Sequence, residues 1–203
     1  MNEHTFRVLE YDKVKDIVSG YSVSEAGRLS ILSSIPGSNP GEVERLLVRA
    51  SLEIKPVDPE CADARYCLAE YVAELNRRSP RGFDPSAGAT ALPHEVRPPA
   101  GQFFVVYVHG EPLGCGAVKH HPGAPAEIKR MWIAPAARGL GLGRRLLETL
   151  ETCARRGGAQ VARLETGAVL TEALALYTST GWLEVPPFND EPFADHWFEK
   201  ALT

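Results

Sequence analysis

Alternating glycines flanked by arginines form the stretch best suited to binding chemistry. An apolar run from Glu127 leads into a proline-containing turn and then into Arg138-Gly-Leu-Gly-Leu-Gly-Arg144, directly before an amphipathic segment. Glycine lets the backbone approach a ligand closely. The first N–H groups of a helix lack internal acceptors and lie at the positive end of its dipole. The pattern therefore predicts a cradle for an anion such as a pyrophosphate.

Two common nucleotide motifs do not fit this cradle. A G-x-G-x-x-G fingerprint that starts at Gly141 needs a glycine where Leu146 stands, and one that starts at Gly139 needs it at Arg144. The Gly-Lys-Ser/Thr end of a Walker A loop is also absent. A glycine turn before a helix, with no ligand, is the alternative interpretation.

Hydrophobic periodicity gives the elements that must position this turn. Residues 1–51 carry helical stripes, and a proline-rich loop is expected over 79–101. A helix opened by Asp58-Pro59 should turn Ala64, Leu68, Tyr71, Val72 and Leu75 inward. Strands are predicted at Leu52–Val57, Gln102–His109, Leu113–His121, Glu127–Ala134, Val161–Thr166, Trp182–Val185 and His196–Leu202, with further helices at 142–154 and Thr171–Ser179. This order predicts an α/β fold with a mixed sheet.

Composition narrows the functional classes. The 203 residues hold 22 Lys plus Arg and 26 Asp plus Glu, for a net charge of −4, with 44% hydrophobic residues. These values suit one domain with a small appendage and exclude a mostly disordered chain. The weakly acidic balance does not favour nucleic acid as the main partner. No signal-like or membrane-spanning apolar run is present.

Cysteine and histidine spacing predicts no metal site. The four cysteines form no C-x-x-C pair, and the six histidines form no H-E-x-x-H pair. Without a secretory signal, buried and reduced thiols are expected. We therefore expect a cytoplasmic protein.

Two motifs resemble one enzyme family. Arg138-x-x-Gly141-x-Gly143 after a strand resembles the coenzyme-A pyrophosphate motif of the GNAT superfamily of N-acetyltransferases. The segment from Ala173 through Tyr177 to Trp182 resembles the second signature of that superfamily. The resemblance covers about residues 52–203. It implies the GNAT mixed sheet, with a splayed pair of parallel strands at Glu127–Ala134 and Val161–Thr166, and acetyl-CoA as cosubstrate.

The resemblance also implies cofactor contacts. The pantetheine arm would pair with the strand backbone at Met131, Trp132 and Ile133. Many relatives carry an asparagine where Leu170 stands, and here the neighbouring Thr171 is expected to supply the polar contact. The pyrophosphate would meet the turn formed by Arg138, Gly139, Leu140, Gly141, Leu142, Gly143 and Arg144.

Two residues are implied for catalysis. Tyr177 matches the tyrosine that protonates the leaving thiolate in many GNAT members, and a packing role is the alternative. Glu127 stands at the offset of the catalytic glutamate of related histone acetyltransferases, so it could accept the ammonium proton. A water chain with an exposed Glu127 is the other route. A strand N–H near Ile133 would face the developing oxyanion.

The implied function is N-acetyltransfer from acetyl-CoA to a primary amine of a small molecule by direct transfer. Acceptor contacts are predicted from Tyr71 and Glu74 on the long helix, from the 79–101 loop, and from Asn189, Asp190 and His196. Three alternatives stay open: a non-catalytic acyl-CoA sensor, a protein or peptide amine acetyltransferase, and a DNA-repair interaction module.

The N-terminal segment has its own resemblance. Residues 1–51 resemble the start of the MutS-like ATPases of the second bacterial subfamily, without any Walker A motif. Six basic and seven acidic residues in this segment do not predict DNA binding. We expect a helical N-terminal segment at 1–51 that docks on the GNAT domain at 52–203 or joins two subunits in a homodimer.

Overall fold

The computed structural model describes Val48 and residues 51–79, 82–84 and 91–202. The chain divides into two units, Met1–Leu52 and Glu53–Thr203. Apart from Val48 and Ser51, the segment 1–51, with its predicted helices and its MutS-like resemblance, lies outside the described residues, and so do residues 80, 81 and 85–90 of the 79–101 loop. None of the helices in the described part is long and apolar enough to cross a bilayer.

Within the described residues, one mixed sheet of seven strands forms, in the order β1-β2-β3-β4-β5-β7-β6. This confirms the predicted α/β class. The strands are β1 (Leu52–Val57), β2 (Gly101–Val108), β3 (Glu111–Lys119), β4 (Ala126–Ile133), β5 (Val161–Thr166), β6 (Leu183–Val185) and β7 (His196–Ala201). The helices are α1 (Ala62–Arg78), α2 (Leu142–Arg156) and α3 (Thr171–Ser179), with 3₁₀ turns at Pro93–Val96 and Pro135–Ala137.

The hairpin of β2 and β3 is tighter than predicted. Its turn is His109-Gly110, where both residues have positive φ angles of 52° and 84°, as a two-residue hairpin turn requires. Pro112 therefore lies inside β3 and not in the turn. A register shift after Val106 accompanies the pairing of Tyr107 with Pro112, and such irregularities tolerate a residue without an N–H donor.

Helix α1 starts later than predicted because Asp58 is used elsewhere. Its carboxylate accepts the Glu60 N–H and ion-pairs with Arg97. Cys61 caps the helix instead, accepting the Ala64 N–H at its sulfur. Ala64 and Leu75 are buried as predicted, and Leu68, Tyr71 and Val72 are half-buried. Cys67 and Glu74 are the buried positions that the pattern missed.

Helix α2 shows the predicted apolar face. Its buried residues include Leu142, Leu146, Leu147, Leu150 and Ala154. It contacts β3 closely, because a Cβ added at Gly116 would lie 2.8 Å from Leu150 Cδ1. Glu151 is buried on the same helix and accepts hydrogen bonds from Trp182 Nε1 and Lys200 Nζ, each at 2.9 Å. The helix is thus fixed to the sheet by packing and by a satisfied carboxylate.

The parallel strands β4 and β5 diverge soon after they meet. They pair only at Ala126 with Ala162 and at Glu127 with Arg163. Both strands continue beyond that point, β4 to Ile133 and β5 to Thr166. Arg130 has a φ of 56°, at a register shift between β3 and β4, so a bulge bends β4 where the strands separate. The splayed pair is the predicted one.

Candidate functional site

The glycine turn holds an unusual backbone before α2. Gly139 and Gly141 have φ angles of 77° and 85°, a region that side chains with a Cβ disfavour. The first helical hydrogen bond joins the Arg145 N–H to the Gly141 oxygen at 3.2 Å. The N–H groups of residues 142–144 therefore precede the helical ladder and can serve an external acceptor. This is the cradle geometry expected from the sequence.

A cavity of about 410 Å³ extends from this turn along the open side of β4. Of the cofactor residues expected from the sequence, nine line it: Met131, Trp132, Ile133, Arg138, Gly139, Gly141, Leu142, Gly143 and Arg144. Leu140 and Thr171 do not line it. The Thr171 hydroxyl donates to Glu172 Oε2 at 3.4 Å, so its contact is on α3.

Glu74 of α1 fixes the arginine of the turn. Arg138 Nη2 lies 2.6 Å from Glu74 Oε2, and Arg138 Nε donates to the Ile133 oxygen at 3.0 Å. Trp132 Nε1 also donates to Glu74 at 2.9 Å. Burial raises the pKa of Glu74, but the hydrogen bonds from Arg138, Trp132 and Arg78 outweigh burial. The pKa of Glu74 is therefore below its ordinary value. Glu74 was expected at the acceptor, and the structure instead places it at the larger cavity as the partner of Arg138.

A second ion pair joins α1 to α3 at the same cavity. Arg78 Nη2 donates to Glu172 Oε2 and to the Val169 oxygen, each at 2.7 Å. Hydrogen bonding from Arg78 lowers the pKa of Glu172 to about 2. Arg78 was not among the residues expected at a site, although its i+4 spacing from Glu74 on a predicted helix was a usable signal.

A smaller cavity of about 150 Å³ adjoins the first. Its aromatic wall comes from Tyr71, Phe83, Tyr177 and Phe193. Tyr71, Met131 and Tyr177 line both cavities, so the two cavities meet at these side chains. In the described part of the chain, the charged side chains that line the smaller cavity are Asp84, Lys129, Arg130, Glu165, Glu191 and Asp195.

Tyr177 lies at this junction and is also packed. Its ring contacts Trp182 and Phe198, with centroid distances of 6.1 and 5.7 Å, and its hydroxyl lies 3.9 Å from Met131 Sδ. Burial raises the pKa of Tyr177, and burial likewise raises the pKa of Tyr71 to about 12. Both phenols therefore carry their protons at neutral pH.

Most of the expected acceptor contacts lie elsewhere. Tyr71 lines the smaller cavity, and so do Phe83 and Asp84 of the 79–101 segment. Asn189, Asp190 and His196 do not. Asn189 accepts the Trp197 Nε1 proton at 2.8 Å, and His196 Nδ1 lies 2.7 Å from Glu184 Oε1. Those side chains hold the last strands together, which short-range sequence patterns could not reveal.

Glu127 is separated from both cavities. Its Oε1 accepts from Arg163 Nη2 at 2.7 Å, and its Oε2 lies 3.6 Å from Lys129 Nζ. Burial raises the pKa of Glu127, but Arg163 and Lys129 bring it below its ordinary value. The structure therefore does not bring Glu127 together with Tyr177. It brings Lys129 and Glu165 to the smaller cavity instead. The sequence did not single them out, because β4 and β5 each carry other charged residues as well.

Comparison with known proteins gives one family. The model of the acetyltransferase (GNAT) family matches residues 69–182. A protein of Azospirillum brasilense named IAA acetyltransferase is 41% identical over 89 residues, which cover 43% of this chain and 58% of the relative. The chain spans between 52% and 60% of the length of the curated relatives it matches.

Solved structures share the fold. One assigned as an acyl-CoA N-acyltransferase, from Klebsiella pneumoniae subsp. pneumoniae, has a TM-score of 0.61 at 28% identity and covers 76% of this chain and 99% of its own. A GNAT family acetyltransferase from Elizabethkingia anophelis with acetyl-CoA bound has a TM-score of 0.50 at 14% identity, with coverages of 74% and 98%. The mixed sheet with its parallel pair is thus the GNAT fold.

Proposed function

Because the chain belongs to the acetyltransferase (GNAT) family, we propose that it transfers an acetyl group from acetyl-CoA directly to a primary amine of a small molecule. One observation carries the proposal. The cavity that ends at the glycine turn meets the smaller, charged cavity at Met131 and Tyr177. Donor and acceptor can therefore approach each other without a covalent enzyme intermediate.

The larger cavity suits the donor. Trp132 and Ile133 pair with β3 on one side, while β5 pairs with β4 only at residues 126 and 127. The other edge of β4 is thus available to the amide groups of a pantetheine arm. The N–H groups of residues 142–144 and the positive end of α2 suit the pyrophosphate. Acetyl-CoA would supply the thioester whose acetyl group is transferred.

Tyr177 is proposed as the general acid. Its hydroxyl lies beside Met131 at the junction, and burial keeps it protonated. A proton from this hydroxyl would neutralise the departing thiolate. The backbone N–H near Ile133 remains the proposed oxyanion donor. Glu127 is not assigned the proton-accepting step, because Arg163 and Lys129 hold its carboxylate outside both cavities.

The smaller cavity suits a cationic acceptor. Among the described residues that line it, the four carboxylates of Asp84, Glu165, Glu191 and Asp195 exceed the two cations of Lys129 and Arg130. An excess of negative charge raises the local concentration of a positively charged ligand. The aromatic rings around it can contact an ammonium group or an apolar stem.

A coenzyme-release assay tests the proposal. The full chain is given acetyl-CoA and a panel of polyamines, amino acids, aminoglycosides, lysine peptides and IAA, the last because a relative bears that name. We expect free coenzyme A and an acetylated amine, identified by mass. Binding of acetyl-CoA with no product from any amine would instead favour the acyl-CoA sensor, and acetylation of the peptides alone would favour a protein amine acetyltransferase.

The role of the N-terminal segment is a separate proposal. We propose that residues 1–51 dock on the acetyltransferase unit or join two subunits of a homodimer in the cytoplasm. Deleting them should change the mass in sedimentation or lower the melting temperature. Salt-dependent DNA binding by the full chain, lost in the deletion, would favour the DNA-repair module.

A further inference from the structure

The two carboxylate oxygens of Glu165, on β5, have different surroundings. The side chain is 8% exposed and lines the smaller cavity. Its Oε1 accepts a hydrogen bond from Lys129 Nζ. Its Oε2 is buried and has no hydrogen-bond partner among the described residues. A buried carboxylate oxygen without a donor is costly, so this atom is suited to a donor that arrives with a ligand.

The position of Glu165 matches the proposed chemistry. Tyr71, Met131 and Tyr177 line the same cavity. The negative charge of Glu165 contributes to raising the pKa of both tyrosines, after the larger effect of burial. The carboxylate therefore acts electrostatically on the side chains at which the two cavities meet.

Lys129 gives Glu165 its orientation. The lysine lies on β4 across the opening and contacts Glu165 Oε1, while Glu127 Oε2 lies 3.6 Å from the same Nζ. With Oε1 held, Oε2 is the atom left for an incoming group. Lys129 is thus a positioning residue, and it prevents Glu165 from carrying an uncompensated buried charge.

Resting on the proposed function, we propose that Glu165 is the catalytic residue that binds the ammonium group of the acceptor through Oε2 and accepts its proton. The acceptor is then a primary amine with an apolar or aromatic stem, which would contact Tyr71, Phe83 and Phe193. A neutral hydroxyl in place of the amine lacks the charge that this carboxylate recognises.

The ammonium nitrogen loses two protons during the reaction. One proton passes from the ammonium nitrogen to Glu165 Oε2, and the nitrogen lone pair forms the bond to the acetyl carbon. A second proton leaves the nitrogen as the carbon–sulfur bond breaks, and Tyr177 gives one proton to the sulfur. The second nitrogen proton restores Tyr177, and the proton on Glu165 passes to solvent. The products are the acetylated amine, coenzyme A and one proton.

Paired variants test this role. Glu165→Gln and Glu127→Gln each change one carboxylate beside Lys129 to an amide of the same shape. For the best amine of the panel we expect Glu165→Gln to lower kcat/KM about 100-fold or more and Glu127→Gln to stay within about threefold. The affinity for acetyl-CoA should be unchanged in both. Equal rates for the two variants would overturn the proposal while leaving the acetyltransferase function intact.

The pH profile of kcat/KM distinguishes a base from a residue that only supports the structure. The pH dependence of kcat/KM in Glu127→Gln should follow that of the wild type. In Glu165→Gln, which lacks the proposed base, kcat/KM should instead rise with the fraction of amine that is already unprotonated, and a profile like that of Glu127→Gln would overturn the proposal. The other titratable groups among the described residues that line the cavity are Lys129 and Arg130 from β4, Tyr71 from α1, Tyr177 from α3, and Asp84, Glu191 and Asp195 from the loops. They are the same in both variants, so they cannot produce a difference between them.

A binding measurement separates this proposal from the proposed function. The full chain loaded with coenzyme A is titrated with 2-phenylethylamine and with 2-phenylethanol. We expect the wild type and Glu127→Gln to prefer the amine at least tenfold, and Glu165→Gln to lose the preference. A preference kept in Glu165→Gln, or absent from the wild type, overturns the proposal even if no amine is turned over.

A second variant keeps the proposal testable if Glu165→Gln does not fold. If Glu165→Gln fails to fold by circular dichroism, Glu165→Asp keeps the charge but withdraws it from the cavity by one methylene. We then expect a rate and an amine preference between those of the wild type and background. A rate equal to the wild type would overturn the assignment.

Discussion

The β4–β5 pair has a closed end, where the two strands are hydrogen-bonded to each other, and an open end, where they have separated. Each end holds one buried carboxylate beside a cation. At the closed end, Glu127 and Arg163 stand on paired backbone and form an ion pair of 2.7 Å. At the open end, Glu165 and Lys129 stand where β4 and β5 no longer pair with each other, and no described residue donates a hydrogen bond to Glu165 Oε2. The carboxylate side chains are similarly buried, at 10% and 8% exposure. Burial alone therefore does not distinguish the two carboxylates. They differ in that Glu165 has a buried oxygen without a partner in the described part of the chain and Glu127 does not, although Arg163 Nε beside Glu127 is also buried without one.

The largest expected effect comes from removing the proposed proton donor beside the open end. Tyr177→Phe removes the proposed proton donor at the junction and keeps the packed ring. We expect kcat to fall about 100-fold or more, with acetyl-CoA binding unchanged by calorimetry.

Tyr107→Phe is the matched control for this change. The Tyr107 hydroxyl donates to Asp63 Oδ2 at 2.8 Å, and Tyr107 lines neither cavity. Its kcat should match the wild type. A similar loss in both variants would show that Tyr177 acts through packing and not as an acid.

Breaking the closed end should cost stability and not rate. Arg163→Met leaves Glu127 buried, with Lys129 Nζ at 3.6 Å and His121 Nε2 at 3.5 Å as its remaining partners. Because Arg163 is partly exposed, we expect a loss of about 2 kcal/mol of unfolding free energy in urea, below the range for a fully buried pair.

The exposed pair of Arg145 and Glu148, 3.7 Å apart, supplies the control. Arg145→Met should change the free energy of unfolding by less than about 1 kcal/mol. If Arg163→Met abolished turnover while the fold persisted, the separation between the two ends would be wrong.

A smaller effect is expected at the turn that extends the open end. An alanine at Gly141, where φ is 85°, costs about 1–2 kcal/mol. The turn should relax away from the cradle geometry, so affinity for acetyl-CoA should fall by about tenfold.

Gly110→Ala places the same strain elsewhere. Gly110 has a φ of 84° and, like Gly141, has no heavy atom within 4 Å of an added Cβ. It lies in the β2–β3 turn, outside both cavities. Its variant should lose a similar amount of stability and keep the affinity for acetyl-CoA, and equal losses of affinity would contradict the cradle.

The smallest effect concerns acid stability at the closed end. The pKa of Glu127 is lowered in the folded protein, because the pairing with Arg163 and Lys129 outweighs burial. A lowered pKa stabilises the folded state above the ordinary pKa of 4.5, and this contribution is lost as the pH falls below it. Between pH 7 and pH 4, the free energy of unfolding in urea should fall by less in Glu127→Gln than in the wild type. An identical loss would contradict the pairing.

The sequence was most informative where chemistry depends on local order. The glycine turn, its position between a strand and a helix, and the apolar face of α2 follow from spacing within about twenty residues. The splayed pair came from family resemblance and not from periodicity. Strand alternation could not show it, because Glu127–Ala134 would have the same pattern in a fully paired strand.

The role of each carboxylate could not be predicted in this way. Glu127 and Arg163 are 36 residues apart, and so are Lys129 and Glu165. Only the register of β4 against β5 determines which cation each carboxylate meets. Glu74 shows the same limit, since Arg138 lies 64 residues away and converts a predicted acceptor contact into a support for the turn.

The shared wall of the two cavities has a consequence for inhibition. Met131 and Tyr177 border both cavities, so one molecule with coenzyme A joined through a short spacer to an amine can fill both together. Such a bisubstrate compound keeps the contacts of both halves and loses translational freedom only once. It should therefore compete with either substrate at concentrations far below those at which each half binds alone.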